Sequence, residues 1–261
     1  MGSRKLFLMG KQLFGVTLFL ASALFLTGCQ GIQAAGRDGD IEHIKTLLAL
    51  GVNVDSKVWG GDQGTALHWA AGAGQTETVK FLIEQGADVN ISNEASAGPL
   101  EYAVRSGHPE IAKILLDNGA DVEGKCRGTD IKVPLVSAVN NGDVEMVKIL
   151  LSYGADINHG RGPTPLHLSI IYKDYQMAKF LLENGVDVNI AKHDGMTALH
   201  DAVKSGNMEM VKLLVEKGAD VNAEAKREGF TPLNYARDEE IKTYLISHGA
   251  KEERQAGQQG A

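Results

Sequence analysis

Apolar residues recur along the chain at the spacing that places them on one face of a helix. In the stretch TVKFLIEQGADVN, Val79, Leu82 and Ile83 lie three and four positions apart, which predicts an amphipathic helix. The glycine that follows, Gly86, can take the left-handed conformation that ends many helices. The block returns as IAKILLDNGADVE, MVKILLSYGADIN, MAKFLLENGVDVN and MVKLLVEKGADVN. Each copy therefore predicts one helix and a tight turn.

A second block recurs in phase with the first and predicts a further helix in each repeat. Its copies are TALHWAAGAG (65–74), GPLEYAVRSG (98–107), VPLVSAVNNG (133–142), TPLHLSIIYK (164–173), TALHDAVKSG (197–206) and TPLNYA (231–236). The period is about 33 residues. One helix pair cannot bury its apolar face alone, so neighbouring copies must supply the other side. The two blocks in register predict an all-α repeat solenoid.

The paired blocks resemble the ankyrin repeat, and the resemblance covers Ile32 to about Lys251. It implies helix-loop-helix units with β-hairpin loops, stacked as a curved solenoid. We expect residues 29–251 to form one domain of about six repeats plus a partial N-terminal capping repeat. The last repeat is shortened and charged, which is typical of a C-terminal cap. Residues 252–261 are expected to form a disordered tail.

The resemblance accounts for three of the histidines. His68, His167 and His200 occupy the fourth position of the TPLH-like block, where the family's imidazole hydrogen-bonds backbone within and between repeats. A metal site is not expected, because ligands must converge within about 2.1 Å of one ion and these positions are a whole repeat apart. Glu101 and Val136 replace the histidine in two repeats, which are therefore expected to lose this hydrogen bond.

One turn departs from the repeat pattern. Lys173 stands where four other copies of the second block end in glycine. If this turn is left-handed, a residue other than glycine costs on the order of 1 kcal/mol. We therefore predict that this repeat is the weakest joint of the stack.

Residues 1–28 are typical of a secretory signal peptide. Basic residues come first, and the apolar run Leu13–Phe25 follows. A permanent span is the weaker alternative, because it needs roughly 20 apolar residues. The tetrad Leu26-Thr27-Gly28-Cys29 resembles the lipobox of bacterial lipoproteins, which implies cleavage before Cys29 and lipid on its thiol. An ordinary signal peptide with a chance cysteine is the alternative.

The lipid would hold the protein at the bacterial cell envelope. One acyl chain binds only marginally, so two or three chains are needed for a stable anchor. Gln30, in place of aspartate, resembles lipoproteins sent to an outer membrane, so we expect a periplasm-facing protein with the outer membrane favoured. The repeats begin about three residues beyond Cys29, a reach of roughly 10 Å.

Charge and cysteine content narrow the possible partners. Removal of residues 1–28 changes the formal net charge from −7 to −10, which argues against nucleic acid because that binding depends on Lys and Arg. With Cys29 assigned to lipid, Cys126 has no intramolecular partner, so a disulfide-built fold is excluded. Cys126 could be a reactive thiol or an inert loop cysteine.

The sequence does not carry the residue patterns of an enzyme. GxSxG, HExxH and phosphate-loop motifs do not occur in it. The recurring aspartates belong to the GADVN turn, where turn formation and backbone hydrogen bonding explain them. These aspartates are Asp88, Asp121, Asp156, Asp187 and Asp220. We expect no catalytic activity, no cofactor and no metal.

The resemblance implies recognition of another protein through the hairpin tips and the exposed face of the inner helices. We therefore expect an unidentified protein partner for a monomeric chain. Tryptophan, tyrosine and arginine often dominate binding energy. The candidate partner-binding residues are Trp59, Trp69, Tyr102, Arg105, Arg161, Tyr172, His193, Asp194, Met196, Lys204, Arg227 and Phe230. Trp69 and Tyr102 could instead pack between repeats, and the charged tips could be merely solvated.

Two functions from different classes are compatible with these features. The first is a lipid-anchored binding module that captures, scaffolds or inhibits a protein of the envelope; some bacterial ankyrin proteins of this kind resemble inhibitors or immunity factors. The second is an accessory that holds or protects a periplasmic enzyme such as an oxidoreductase. A neighbouring toxin gene favours the first, and a catalase-like gene favours the second.

Overall fold

The computed structural model describes residues 31–57, 63–93, 97–124, 133–160, 163–226 and 229–251. Within these ranges helices alternate with turns and loops, and no β-strand forms. An isolated antiparallel bridge joins Ala191 to Thr197. The all-α prediction is therefore confirmed, and the predicted hairpin loop before the helix that starts at Ala198 has one bridge and no strand. The signal peptide with Cys29, the loop with Cys126 and the tail lie outside the described residues.

The chain divides into two compact units after Arg127. The described residues of the first unit form three helix pairs in which a short helix precedes a longer one. Its helices are α1 (31–38), α2 (Ile41–Ala49), α3 (Ala66–Gly72), α4 (Thr76–Glu84), α5 (Pro99–Arg105) and α6 (Pro109–Asp117). We call the first helix of each pair the inner helix and the second the outer helix.

Four further helix pairs lie in the part of the second unit that the structure describes. Its helices are α7 (Pro134–Asn140), α8 (Val144–Ser152), α9 (Pro165–Ile171), α10 (Tyr175–Glu183), α11 (Ala198–Lys204), α12 (Met208–Glu216), α13 (Pro232–Tyr235) and α14 (Glu239–Ser247). The inner helix of the last pair, α13, has four residues where α11 has seven, which confirms that the last repeat is shortened.

Local sequence explains where these helices begin and which face they bury. Proline at the first helical position starts several inner helices, as Pro165 does in α9, because its missing N–H is not needed there. An aspartate starts several outer helices, as Asp143 does by accepting a hydrogen bond from the Met146 N–H at 2.9 Å. The block leucines, such as Leu67 and Leu166, are fully buried. The helical period therefore assigns the core correctly.

The N-terminal repeat consists of an inner and an outer helix, like the later repeats. The residues aligned with α3 form α1, and Gly39 ends it with a positive φ of 79°. Ile32 and Ile44 are completely buried. The partial first repeat is therefore a packed helix pair.

The turn at Lys173 has the backbone conformation that the sequence suggested. Its φ is +58°, and the equivalent glycines of α3, α5, α7 and α11 also have positive φ. Those glycines are Gly74, Gly107, Gly142 and Gly206. Because a side chain in this region crowds its own backbone, Lys173 carries strain that its counterparts avoid.

Replacement of Lys173 by glycine is expected to raise the free energy of unfolding by up to about 1 kcal/mol, because it removes this strain. The reverse change, Gly206→Lys, is the matched control. A Cβ at Gly206 meets no atom within 4 Å, so the expected loss of stability arises from the backbone alone. Denaturant unfolding measures both changes. An unchanged or lower stability of Lys173→Gly would contradict this account.

Candidate protein-binding surface

A buried histidine at the start of α3 joins two successive repeats. His68 is 0% exposed, and its Nδ1 accepts a hydrogen bond from the Thr65 N–H at 3.0 Å. Its Nε2 lies 3.1 Å from the carbonyl oxygen of Ala97 in the next repeat. A carbonyl can only accept, so Nε2 carries the proton. The predicted hydrogen bonds within and between repeats are confirmed here.

The other two histidines of this position make the same connections. Nε2 of His167 lies 3.1 Å from the Met196 carbonyl oxygen, and Nε2 of His200 lies 3.1 Å from the Phe230 carbonyl oxygen. Burial lowers the pKa of His68 to about 4 and is also the main cause of the lowered pKa of the other two. All three are therefore neutral at pH 7 and serve the fold.

The turn residues form a second connection, which sequence reasoning missed in part. Oδ1 of Asp88 accepts from the Asn90 N–H at 2.8 Å, as predicted for a turn aspartate. Asn90 also reaches the next repeat: its Nδ2 donates to the Gly119 carbonyl, and its Oδ1 accepts from the Asp121 N–H, both at 2.8 Å. Asn189 and Asn222 repeat this pattern. The recurring final Asn of the GADVN block was the available signal.

Within the described ranges, no cluster of three or more His, Cys, Asp or Glu side chains is placed to hold a metal ion. The same ranges contain no helix whose length and apolar character would suit it to span a bilayer.

Trp69 and Tyr102 pack against each other between successive inner helices of the first unit. Their ring centroids are 6.0 Å apart at an interplanar angle of 74°, which is an edge-to-face contact. The Tyr102 hydroxyl accepts a hydrogen bond from Asn93 Nδ2 at 2.9 Å. Both rings are only half-buried, so they pack between repeats and also face solvent. The packing alternative is therefore confirmed, and the partner-binding role of these two residues stays a prediction.

The half-buried rings form one wall of a cleft of about 480 Å³ in the first unit. Its lining residues come from α1, α3 and α5 and from the ends of these helices. They are Arg37, Trp69, Gly72, Ala73, Tyr102, Arg105 and Ser106. Three of the predicted partner-binding residues, Trp69, Tyr102 and Arg105, meet here. Sequence reasoning did not select Arg37, because it lies on the capping helix.

An exposed apolar pair ends α9 in the second unit. Tyr172 is 59% exposed, and Ile171 beside it is 49% exposed. Lys204, at the corresponding end of α11, is exposed, and its Nζ lies 5.9 Å from the centroid of the Tyr235 ring. Tyr172 and Lys204 are therefore available at the surface, as the sequence predicted. Ile171 joins them and was not selected as a site residue.

The predicted loop residues of the second unit divide into exposed and buried positions. His193 and Asp194 are exposed, whereas Met196 is 8% exposed. The expectation that Met196 projects outward is therefore wrong, because its carbonyl accepts from His167 and draws this segment against the inner helices. Phe230 is half-buried, with its ring 5.8 Å from that of Tyr235. The remaining candidates, Trp59, Arg161 and Arg227, lie outside the described residues.

A shielded ion pair fixes the loop before α11. Nζ of Lys192 lies 2.9 Å from both carboxylate oxygens of Asp201, and the two side chains are 15% and 12% exposed. Asn93 and Tyr102 make the corresponding contact in the first unit, at the same separation of nine residues along the chain. The loop position therefore carries a polar contact to the inner helix, and its chemistry differs between repeats.

Comparison with known proteins places these repeats in a family. The family profile described as ankyrin repeats (3 copies) matches residues 32–126, 127–192 and 189–256. The chain is an ankyrin-repeat protein. The crystal structure of the human ASB11 ankyrin repeat domain is similar over 85% of this chain and 99% of that domain, with 29% identity and a TM-score of 0.70. The ankyrin repeat domain of Bcl-3 is similar over 83% of this chain and 97% of its own, with 27% identity and a TM-score of 0.74.

Curated relatives match shorter parts of the ankyrin repeats. The E3 ubiquitin-protein ligase XBAT32 of Arabidopsis thaliana is 34% identical over 62 residues, which is 24% of this chain and 12% of that protein. The 26S proteasome non-ATPase regulatory subunit 10 of Homo sapiens is 36% identical over 61 residues, which is 23% of this chain and 26% of that protein. The palmitoyltransferase AKR1 of Eremothecium gossypii is 41% identical over 61 residues.

The match therefore covers between 8% and 26% of these relatives' length. It extends to repeats and not to whole proteins. The ankyrin-repeat fold is typically a non-catalytic scaffold that mediates protein–protein interaction, and relatives named as a ligase and a transferase share only this repeat region with the chain. The surfaces described above are among the exposed parts of the two units.

The buried histidines predict a loss of stability in mild acid. The folded-state pKa of His68 is about 4, below its usual value near 6.5, so this contribution is complete above pH 6.5 and falls as pH decreases towards 4. One such histidine contributes a slope of up to about 1.4 kcal/mol per pH unit. Denaturant unfolding between pH 7.5 and 4.5 measures it.

His68→Asn tests the assignment, because Asn234 naturally occupies this position in the last repeat and accepts from the Thr231 N–H at 2.7 Å. The variant keeps the local bond and loses the bond to Ala97, so it should cost about 1 kcal/mol at pH 7. Its stability should then depend less steeply on pH than that of the unmodified protein. An unchanged pH slope would assign the acid sensitivity to other groups.

Proposed function

We propose that this ankyrin-repeat protein is a lipid-anchored module that binds another protein in the bacterial cell envelope and acts as an inhibitor or immunity factor. The observation that carries the binding role is the exposed pair Ile171 and Tyr172 at the end of α9. Removing apolar side chains of this size from water lowers the free energy, so a partner that covers them gains binding free energy. Tyrosine at such a position is also a frequent energetic anchor.

The lipid anchor is supported by the order of features in the first 29 residues. Basic residues, an apolar run and small residues directly before Cys29 together match the lipobox pattern. Helix α1 is already formed at residue 31, so the repeats would start close to the lipid headgroups. A large partner would be hindered next to this N-terminal repeat.

Intact-mass analysis of membrane-extracted protein tests the anchor. We expect a chain that begins at Cys29 and carries two or three acyl chains, because one chain binds membranes only marginally. Cys29→Ser should release the protein from the membrane fraction. A mature chain that begins elsewhere, or a serine variant that stays in the membrane, would contradict the lipid anchor. The binding role would then be tested separately.

Photo-crosslinking in native cells tests the binding role. A photoreactive residue at position 172 should trap one envelope protein, whereas the same group at the outer-helix position 246 should not, although Ile246 is also 41% exposed. A secreted toxin as the trapped protein supports an immunity function, and an oxidoreductase indicates the accessory function instead. Equal trapping at both positions would contradict binding through the inner-helix face.

Alanine scanning against the trapped partner should give an uneven result. Tyr172→Ala is expected to cost over about 2 kcal/mol of binding energy, because anchors dominate interfaces. Phe230→Ala should also weaken binding, while Glu183→Ala and Lys212→Ala on the outer helices should change little. Ile171→Ala compared with Ile246→Ala is the matched pair. Losses that concentrate on Glu183 and Lys212, with Tyr172 and Phe230 neutral, would place the partner on the outer helices.

A further inference from the structure

The cleft between α3 and α5, hereafter the α3–α5 cleft, has the size of a binding site. Its volume of about 480 Å³ lies within the range of ligand pockets, roughly 300–1,000 Å³. All of its lining residues belong to the first unit, whereas the exposed Ile171 and Tyr172 belong to the second. The binding role of the second unit therefore does not account for it.

The cleft exists because α3 ends in the smallest side chains found at that position. Gly72 and Ala73 stand where α5 has Arg105 and Ser106 and where α9 has Ile171 and Tyr172. A Cβ at Gly72 would lie 3.2 Å from Cδ1 of Tyr102, which is too close without movement of the ring. Glycine therefore lets the Tyr102 ring lie against the end of α3, and the small residue after it leaves space above.

The charged side chains among the residues that line the cleft are two arginines, Arg37 and Arg105. No carboxylate is among the described lining residues. This contrasts with the chain as a whole, which has 33 acidic and 26 basic residues. Arg37 pairs with Asp38 at 2.9 Å, but both side chains are exposed. Exposed pairs contribute little, so a ligand carboxylate can replace Asp38 at small cost.

The wall between the arginines is aromatic. Trp69 and Tyr102 present half-buried rings, and Gly72 and Ala73 add no polar side chain. Guanidinium groups pair with carboxylates through strong, directional hydrogen bonds, while the rings favour an apolar or flat side chain. The complementary ligand therefore carries carboxylates beside an apolar group.

We propose that the α3–α5 cleft binds an acidic segment of a protein, in which carboxylate side chains pair with Arg37 and Arg105 and a neighbouring apolar side chain lies against Trp69 and Tyr102. The proposal deepens the proposed function by giving the chemistry of a partner segment. An anionic membrane surface fits less well. Segments that bind anionic lipid headgroups carry clusters of about four to eight basic residues, whereas two arginines line this cleft beside two half-buried aromatic rings.

A binding assay with a defined peptide tests the proposal. The probe is a capped, fluorescently labelled peptide in which glutamates alternate with leucines, and the comparison peptide has glutamine at every glutamate. The protein carries Cys29→Ser, so that no lipid is attached. We expect the acidic peptide to bind at least about tenfold more tightly than the glutamine peptide, because glutamine cannot form charge-assisted hydrogen bonds with the two arginines as glutamate can.

Three variants locate the binding site. Arg37→Gln and Arg105→Gln should each weaken binding of the acidic peptide by about two- to fivefold, because exposed ion pairs contribute modestly. Ala73→Trp should fill the cleft and abolish binding. Its matched control is Ser205→Trp, because Ser205 ends α11 with the same backbone conformation that Ala73 has at the end of α3. That control should bind as the unmodified protein does. Thermal unfolding checks that each variant folds.

Several outcomes would overturn the proposal. Equal affinity for both peptides removes the role of charge, and this comparison needs no variant to fold. Undiminished binding by Ala73→Trp places the peptide elsewhere. Sedimentation with phosphatidylglycerol vesicles that is lost in Arg37→Gln and Ala73→Trp, without peptide binding, assigns the cleft to headgroups instead. Because the assay uses a purified, lipid-free chain, its result is independent of whether the envelope location or the crosslinked partner is correct.

Discussion

Each of the three histidine-bearing repeats depends on the next one for a hydrogen-bond acceptor as well as for apolar cover. His68 is buried completely, and its Nε2 lies 3.1 Å from the Ala97 carbonyl oxygen of the following repeat. A buried polar group without a partner costs several times what a made hydrogen bond contributes. Apolar surfaces tolerate small slips, whereas this bond fixes one register. Asn90 adds a second fixed point at the turn, through Gly119 and Asp121.

Because the core and these bonds fix the backbone, the ends of the inner helices are free to vary in shape. The same backbone position is Gly72 and Ala73 in α3 and Ile171 and Tyr172 in α9. The first choice opens a cleft, and the second leaves an exposed apolar pair. Neither changes the buried leucines beneath. One repeating frame therefore carries two chemically different surfaces, each set by two side chains.

Features that depend on the chain's own period could be predicted from the sequence. The helices, the short last repeat and the left-handed turn at Lys173 follow from local patterns, whereas the histidine bonds between repeats were expected from the resemblance to ankyrin repeats. Other features that depend on the neighbouring repeat could not be predicted. Met196 occupies a loop position that suggested exposure, but its carbonyl is held by His167 and its side chain is buried. The cleft likewise requires Arg37 of another helix, which no single repeat reveals.

Lys173 brings stability and surface chemistry into opposition. Its left-handed backbone is strained, and it directly follows the exposed Ile171 and Tyr172. Glycine would remove the strain at the cost of the positive charge beside that apolar pair. Strained backbone residues are concentrated at functional sites, although strain alone does not identify a function. Here the strain coincides with the exposed pair, so the same position that weakens the repeat supplies a charged rim next to the candidate binding surface.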